Sequence, residues 1–442
     1  MYNYGHFTFA LPLCLSIAES LVRMDSGSGS DSTAGPSEVS VLRDEANFIQ
    51  NVSQFYNMED LSDIILVVGS TRYFSHKFVL AKSSDVFRTM LYEKNWSQGS
   101  KAEIELEESP ECQSVFDVFL RYLYTAEVSI TTSTAVGILC LADKYNVISL
   151  KELCTKYMTQ HSCSPQVRNA LKWYSWAKLL HLEPLLRQCY RTIAWNYMEI
   201  IASPEWGTMD LEFVMDFLQS SELIVSNEFA IWDAVRLWLT HDSHVHQLRE
   251  NADRLLPLVR FPQMHVPQLY QLEKTELADG PECRDLLQTL LSRAYRFRAL
   301  CPVQAQLAIA FSEPFYHPRD YVDLIVDSVR IQSTLRFGIQ VDVKTFRGPV
   351  PSEVREADWK VTYRKQVENW SLQLYCHETA LVNNEAHVQP TIVVYNEEDK
   401  VIQVHREEKR VCLRGCTVTV QMTMDYPDLA KSMSVLIKPI AT

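Results

Sequence analysis

Hydrophobic positions change their rhythm along this chain, and the changes divide it. In EANFIQNVSQFYN, residues 45–57, Phe48, Val52 and Phe55 fall at i, i+4 and i+7, one face of a helix. A helix this short is marginal in water by itself. Its apolar face is expected to bury on a second copy across a two-fold axis. DIILVVG predicts a strand with Ile64, Leu66 and Val68 on one side, Gly69 and Ser70 a turn, and RYF the return strand. Ser75-His76-Lys77 opens a helix carrying Phe78, Val79 and Leu80, and a second helix is expected over 84–91. AEIELEE predicts another strand, Pro110 begins a helix through ECQSVFDVFLRYLY, and TTSTAVGILCLADKYNV supplies one more.

From 150 to 300 a spacing of three to four recurs through LKWYSWAKLL, FVMDFLQ, EFAIWDAVRLWL and CRDLLQTLLSRAYRF, which predicts an all-helical region. From about 320 the period falls to two. Leu335, Phe337, Ile339, Val341 and Val343 alternate with Arg336, Gly338, Gln340, Asp342 and Lys344. Trp370, Leu372, Leu374 and Cys376 do the same, as do Val418, Val420, Met422 and Met424. Strict alternation means half-buried strands with one solvated face, and several in succession predict an antiparallel β-sandwich. The expected fold class is therefore multidomain α+β.

The 442 residues suit two to four domains. Only 12 are Gly, well under half the usual ~7%. That counts against loops that cradle phosphate, and no G-x-G-x-x-G, G-x-x-x-x-G-K-[ST] or H-E-x-x-H occurs. The formal charge of −13 repels nucleic-acid backbones, so nucleic acid is not an expected partner. Residues 7–18, FTFALPLCLSIA, have the length of a signal-peptide core, lack a preceding Lys or Arg, and are too short to span a membrane. Met24 opens MDSGSGSDSTAGPSE, a Ser/Gly-rich stretch read as disordered and a plausible alternative start. The expected location is cytoplasmic. If residues 1–20 act as a signal peptide it is secreted, and the sequons at Asn51, Asn95 and Asn369 become glycosylation candidates.

Most of the 11 cysteines, such as Cys140 and Cys154, sit in apolar helical patterns, as small core residues do. Cys412-x-x-x-Cys416 contains Gly415, which suggests a hairpin turn bringing the two sulfurs near each other. Structural thiols are expected there, or a disulfide if the chain is secreted. His241, His244 and His246 could chelate a metal, but HDSHVHQ has no Cys and no second ligand set is evident. A polar loop is expected, with no metal and no cofactor. Ser75-His76 lacks an orienting acid and is read as a structural junction, so no catalytic residue is assigned.

Specific residues carry a family likeness. Phe74-Ser75-His76-Lys77-Phe78-Val79-Leu80, Ser84-x-x-Phe87-x-x-Met90-Leu91, Phe119-x-x-Tyr122-Leu123-Tyr124-Thr125 and Ala142-Asp143-Lys144-Tyr145 occur in order, after Asp63 at the head of the first strand. This region resembles the BTB/POZ domain, with Ala126 where the pattern usually has Gly. EFAIWDAVRLWL followed by Leu255-Leu256-Pro257-Leu258-Val259-Arg260-Phe261-Pro262 resembles the BACK domain. The resemblance implies a BTB/POZ domain at 45–150, a BACK domain at 151–300 and a TRAF-like sandwich at 320–442, after an N-terminal stretch of 1–44. It also implies a homodimer. Asp63 and Lys77 would stand as acid and base near the dimer groove, beside Phe48, Val52 and Phe55. They would form an ion pair, in preference to a peptide pocket, because burying either charge alone costs several kcal/mol.

The same resemblance implies a non-enzymatic adaptor that recruits the cullin-3 ubiquitin ligase and presents a client protein through its sandwich. In such adaptors a hydrophobic-x-Glu triplet follows the 87–91 helix. Here it corresponds to Trp96-Ser97-Gln98, with Gln98 in place of Glu. The Tyr145 hydroxyl would also reach the cullin. The alternative is a secreted, glycosylated BTB–BACK oligomer of the galectin-3-binding kind.

Overall fold

The computed structural model describes residues 44–93, 102–163, 166–301, 311–322, 331–332, 339–345, 347–366 and 369–440. Of residues 1–48, which form a unit of their own, 44–48 are described. They start helix α1 (Glu45–Ser53), where the Asn47 side chain donates to the Asp44 carboxylate at 2.8 Å.

The unit that begins at Ile49 opens on a small sheet. Strand β1 (Ile64–Val68) pairs antiparallel with β2 (Thr71–Ser75), Leu66 opposite Tyr73, and parallel with β3 (Glu103–Leu106), Leu66 opposite Ile104. Gly69 makes the β1–β2 turn at φ +59°, a conformation that favours glycine. Helices α2 (Lys77–Ser83), α3 (Asp85–Tyr92), α4 (Pro110–Gln113), α5 (Phe116–Thr125) and α6 (Ala135–Lys144) complete this region. Leu66, Leu80, Phe87, Phe116 and Phe119 are all buried in its core. The single helix expected from Pro110 is two helices. Val115, at φ −122° and ψ 9°, leaves the helical region, while Gly137 of α6 packs so closely under Glu111 and Val115 that a Cβ there would collide with both.

The helical region runs through α7 (Ile148–His161), α8 (Val167–Leu179), α9 (Glu183–Trp195), α10 (Tyr197–Ile201) and α11 (Leu211–Leu218). After the two-residue strand β4 (Ile224–Val225) come α12 (Glu228–Leu239), α13 (Leu248–Leu255), α14 (Val266–Leu272), α15 (Glu276–Asp279) and α16 (Arg284–Leu300). Trp173, Trp232 and Trp238 lie in its core.

Two antiparallel sheets follow. Strand β5 (Asp320–Tyr321) pairs parallel with β4 inside the helical region. Strands β6 (Ile331–Gln332), β7 (Ile339–Thr345), β8 (Ala357–Gln366), β9 (Asn369–Cys376), β10 (Ala386–Tyr395), β11 (Val401–Arg406), β12 (Arg410–Cys412), β13 (Thr417–Thr423) and β14 (Ser432–Pro439) make the rest. One sheet has the order β13-β9-β8-β7; the other has β11-β10-β14-β6, with β12 also on β10.

The period-two expectation holds in the first sheet, where β9 and β13 alternate strictly between buried and open positions. Val343 is buried between exposed Asp342 and Lys344, while Leu335 and Phe337 lie outside the described residues. The second sheet corrects the expectation of a solvated face. Every residue of β14 is buried, and so are the last six of β10. Helix α9 packs on β11 and strand β5 on β14, so the helical region shares in burying this sheet.

Candidate functional site

The N-terminal domain presents an apolar surface built around the junction of β2 and α2. The Phe74 amide donates to Asn57 Oδ1 at 3.0 Å, and the Phe55 ring meets His76 edge-on at 5.8 Å. These contacts hold residues 55–58 against the junction. There Phe78 is 73% exposed, Leu61 70% and Phe55 36%, with Ile49 and Met58 also open. Phe48, in α1, is 69% exposed, whereas Val52 is half-buried against the core. Large apolar groups left open together on one domain mark an interaction surface.

Asp63 stands beside this surface, exposed, and its carboxylate accepts the Lys77 backbone amide at 2.8 Å. It thereby satisfies one of the free N–H groups at the start of α2 and places a negative charge at that helix end. Lys77 is half-buried. Behind them the Tyr124 hydroxyl accepts the His76 amide at 3.0 Å and pairs with its Nδ1 at 3.0 Å. Burial pushes that phenol up to about 12. Ser75 and His76 are thus fixed as parts of the junction.

Tyr145 corrects an expectation. It is 2% exposed, its ring stacks on Phe87 at 4.4 Å, and its hydroxyl donates to the buried Glu108 carboxylate at 2.6 Å. Burial first, then Glu108, pushes the phenol well above its ordinary range. Ser84 explains the local motif. Its hydroxyl accepts the Phe87 amide, capping α3, and donates to the Tyr145 carbonyl at 2.5 Å. Tyr145 is therefore a core support whose polar end is already occupied by Glu108. Trp96 and Gln98, like Asn95, lie outside the described residues. Nearby Tyr92 ends α3 exposed, and Ile148 starts α7 exposed. Of the other sequons, Asn51 is exposed on α1 and Asn369 is exposed at the start of β9.

Sequence reasoning missed a buried ionic joint where the helical region meets the second sheet. Glu228 accepts the Arg260 amide at 2.8 Å, the Arg319 side chain at 3.1 Å and the Tyr321 hydroxyl. Arg319 also donates to the carbonyls of Leu218 and Leu258 at 2.8 and 2.9 Å. The neighbouring Asp320 accepts from Lys438 of β14 at 2.5 Å and Arg406 of β11 at 2.7 Å. Glu228, Arg319 and Asp320 are fully buried. Burying such charges is tolerable only because each is paired and hydrogen-bonded. The one available signal was Arg260, a cation inside the apolar run LLPLVRFP.

His244 stacks on Trp238 at 3.6 Å, and the His241 ring centroid lies 6.2 Å from it. Burial lowers His244 below the ordinary imidazole range. Among the described residues no group of three or more His, Cys, Asp or Glu side chains is placed to hold a metal ion. No helix among them is long and apolar enough to cross a membrane.

Comparison with known proteins matches the first two regions of the chain. The BTB/POZ domain family model matches residues 52–162, and the model described as BTB And C-terminal Kelch (BACK) matches 170–274. The chain is 29% identical over 329 residues to BTB/POZ domain-containing protein 17 of Mus musculus, a match covering 72% of this chain and 64% of that relative. It is 28% identical over 230 residues to Mus musculus galectin-3-binding protein, covering 51% and 39%. With Kelch-like protein 7 of Gallus gallus it shares 24% identity over 278 residues, covering 62% and 45%. The chain thus spans just under two thirds of the length of the relative first named.

Proposed function

From a chain that carries a BTB/POZ domain followed by a BACK domain, we propose a non-enzymatic protein-interaction adaptor. It homodimerises through the β2–α2 face, recruits cullin-3 through the surface after α3, and presents a client on its C-terminal sandwich. The observation that carries this reading is the cluster of open apolar side chains around Phe55, Leu61 and Phe78. A second copy related by a two-fold axis would cover it with the same residues, and α1 would add Phe48 and Val52. Asp63 and Lys77 would flank the seam. Trp96 is the anchor proposed for the cullin, with Gln98 making a neutral and therefore weaker hydrogen bond than Glu would. Tyr92 and Ile148 extend that surface. The open face of the first sheet, with Gln373, Tyr375, Thr419 and Gln421 exposed, is the surface offered to a client.

The test uses the full chain. Phe55→Asp with Phe78→Asp is expected to halve the mass in light scattering, and an unchanged mass would reject the dimer face. Trp96→Ala is expected to weaken binding of purified cullin-3 N-terminal domain at least about thirtyfold, as loss of a ~2 kcal/mol anchor does. If the wild-type chain does not bind that domain at micromolar concentration, the adaptor reading fails.

The likeness to galectin-3-binding protein favours a second reading, a secreted oligomer in which the dimer serves only assembly and Asn51, Asn95 and Asn369 carry glycans. It requires a mass loss on treatment with an N-glycosidase after expression through the secretory route.

A further inference from the structure

Three thiols from three separate strands or turns meet at one end of the sandwich. Cys376 ends β9 on its buried side, in step with Trp370, Leu372 and Leu374. Cys416 precedes β13 in the phase of Val418 and Val420, and lies directly across from Cys376, whose amide donates to the Cys416 carbonyl at 3.0 Å. Cys412 ends β12, in the opposite sheet, and is fully buried. The chain between Cys412 and Cys416 folds back through a turn, closed by the Cys416 amide on the Leu413 carbonyl at 3.0 Å, with Gly415 at φ +71°. The turn returns the chain four residues after the buried Cys412, so that Cys416 stands in the inward phase of Val418 and Val420 and the two thiols face the same end of the core between the sheets.

We propose that Cys412 and Cys416 are a thiol–disulfide couple, closed by a small-molecule disulfide of the glutathione class. Cys416 is the entry point, because it is half-buried while Cys376 and Cys412 are sealed. Its thiolate attacks one sulfur of the oxidant, forming a mixed disulfide and releasing one molecule of small thiol. Cys412 then gives up its proton and attacks the Cys416 sulfur, releasing the second. Two protein thiols and one small disulfide become one protein disulfide and two small thiols, so atoms and electrons balance.

Burial, then Cys416 and Cys376, pushes the Cys412 thiol up to about 12. The order of the two steps follows from access: buried Cys412 has no disulfide sulfur to attack until the half-buried Cys416 carries the mixed disulfide. Cys376 is the poorer resolving thiol. Its Sγ–H is directed to the His377 carbonyl at 3.6 Å, and its backbone is held in the ladder. The new bond would tie β12 of one sheet to β13 of the other.

The test exposes the full chain to oxidised glutathione, then alkylates it under denaturing conditions and maps the peptides. The expected product has lost 2 Da, links Cys412 to Cys416, and reverts with dithiothreitol. Alkylation of both residues should fall at least tenfold while Cys376 stays fully alkylated. Cys412→Ser should stop at the mixed disulfide on Cys416, and Cys416→Ser should not react at this end at all. A wild-type protein that retains glutathione on Cys416, links Cys416 to Cys376, or remains fully reduced would overturn the proposal. These outcomes are read on the wild-type chain, so they stand even if a serine variant folds poorly.

Discussion

The side-chain amide of Asn196 holds both main-chain groups of Val401: its Oδ1 accepts the Val401 amide at 2.9 Å and its Nδ2 donates to the Val401 carbonyl at 3.1 Å. The first residue of β11 is thus paired with the residue that joins α9 to α10, some two hundred positions earlier, as if Asn196 were a further strand. The neighbouring ion pair of Lys400 with Glu199 reinforces the contact. Asn196→Ala would leave two buried main-chain groups without partners, at about 1–3 kcal/mol each. We expect a loss of about 2–5 kcal/mol in chemical denaturation. We also expect the wild-type chain to melt its helical region and second sheet in one calorimetric transition, and the variant to separate them.

The alternating face of β9 gives a sharper contrast. Leu372 is fully buried between Tyr363 of β8 and Val420 of β13, whereas the next residue, Gln373, faces solvent. Leu372→Asp should destabilise the chain by more than about 3 kcal/mol, and Gln373→Asp should change it by no more than about 0.5 kcal/mol. Equal effects in urea denaturation would mean that the buried side has been misassigned.

Ala126 closes α5 in a left-handed conformation, φ +57° and ψ 17°, with its amide on the Tyr122 carbonyl at 2.8 Å. A Cβ is disfavoured there and glycine is not. Ala126→Gly is expected to stabilise the protein by about 1 kcal/mol, visible as a higher Tm.

Acid should weaken the joint between the helices and the second sheet. Burial, and next the Lys409 charge, lowers His317 below the ordinary imidazole range. The unfolded chain then binds a proton at higher pH than the folded one does. The stabilising contribution of neutral His317 is complete above the unfolded value near 6.5 and is lost as pH falls through the lower folded value. Denaturation midpoints measured from pH 7.5 to 5 should fall less for His317→Gln than for the wild type.

How far the sequence could be read depended on where each residue's partners lie. Period two in β9 and β13 was visible because one side of that sheet faces water, and water selects polar residues there. In β10 and β14 the alternation disappears, since both faces are buried; IVVY and MSVLI read only as apolar runs. The motif residues of the N-terminal domain were legible because each has a local task, as Ser84 shows by capping α3. Tyr145 was misplaced because its ring and hydroxyl are claimed by Phe87 and Glu108, 58 and 37 positions earlier. Glu228, Arg319 and Asp320 look like surface charges in one dimension, and only the fold brings their counter-charges to them.

The carboxylate of Asp320 bears on how such a chain can be recombined. It lies in β5, inside the helical region, yet its two cations come from β11 and β14. A graft that joined residues 320–442 to a different helical scaffold would keep Asp320 with Lys438 and Arg406 but would lose the pairing of β5 with β4 and the anchored Arg319 that holds Asp320 in place. It would also uncover the part of the second sheet that the helical region buries. The exchangeable cassette is therefore the helical region together with both sheets, cut near the end of α7. Chimeras divided there should express as soluble protein, and those divided at residue 320 should precipitate.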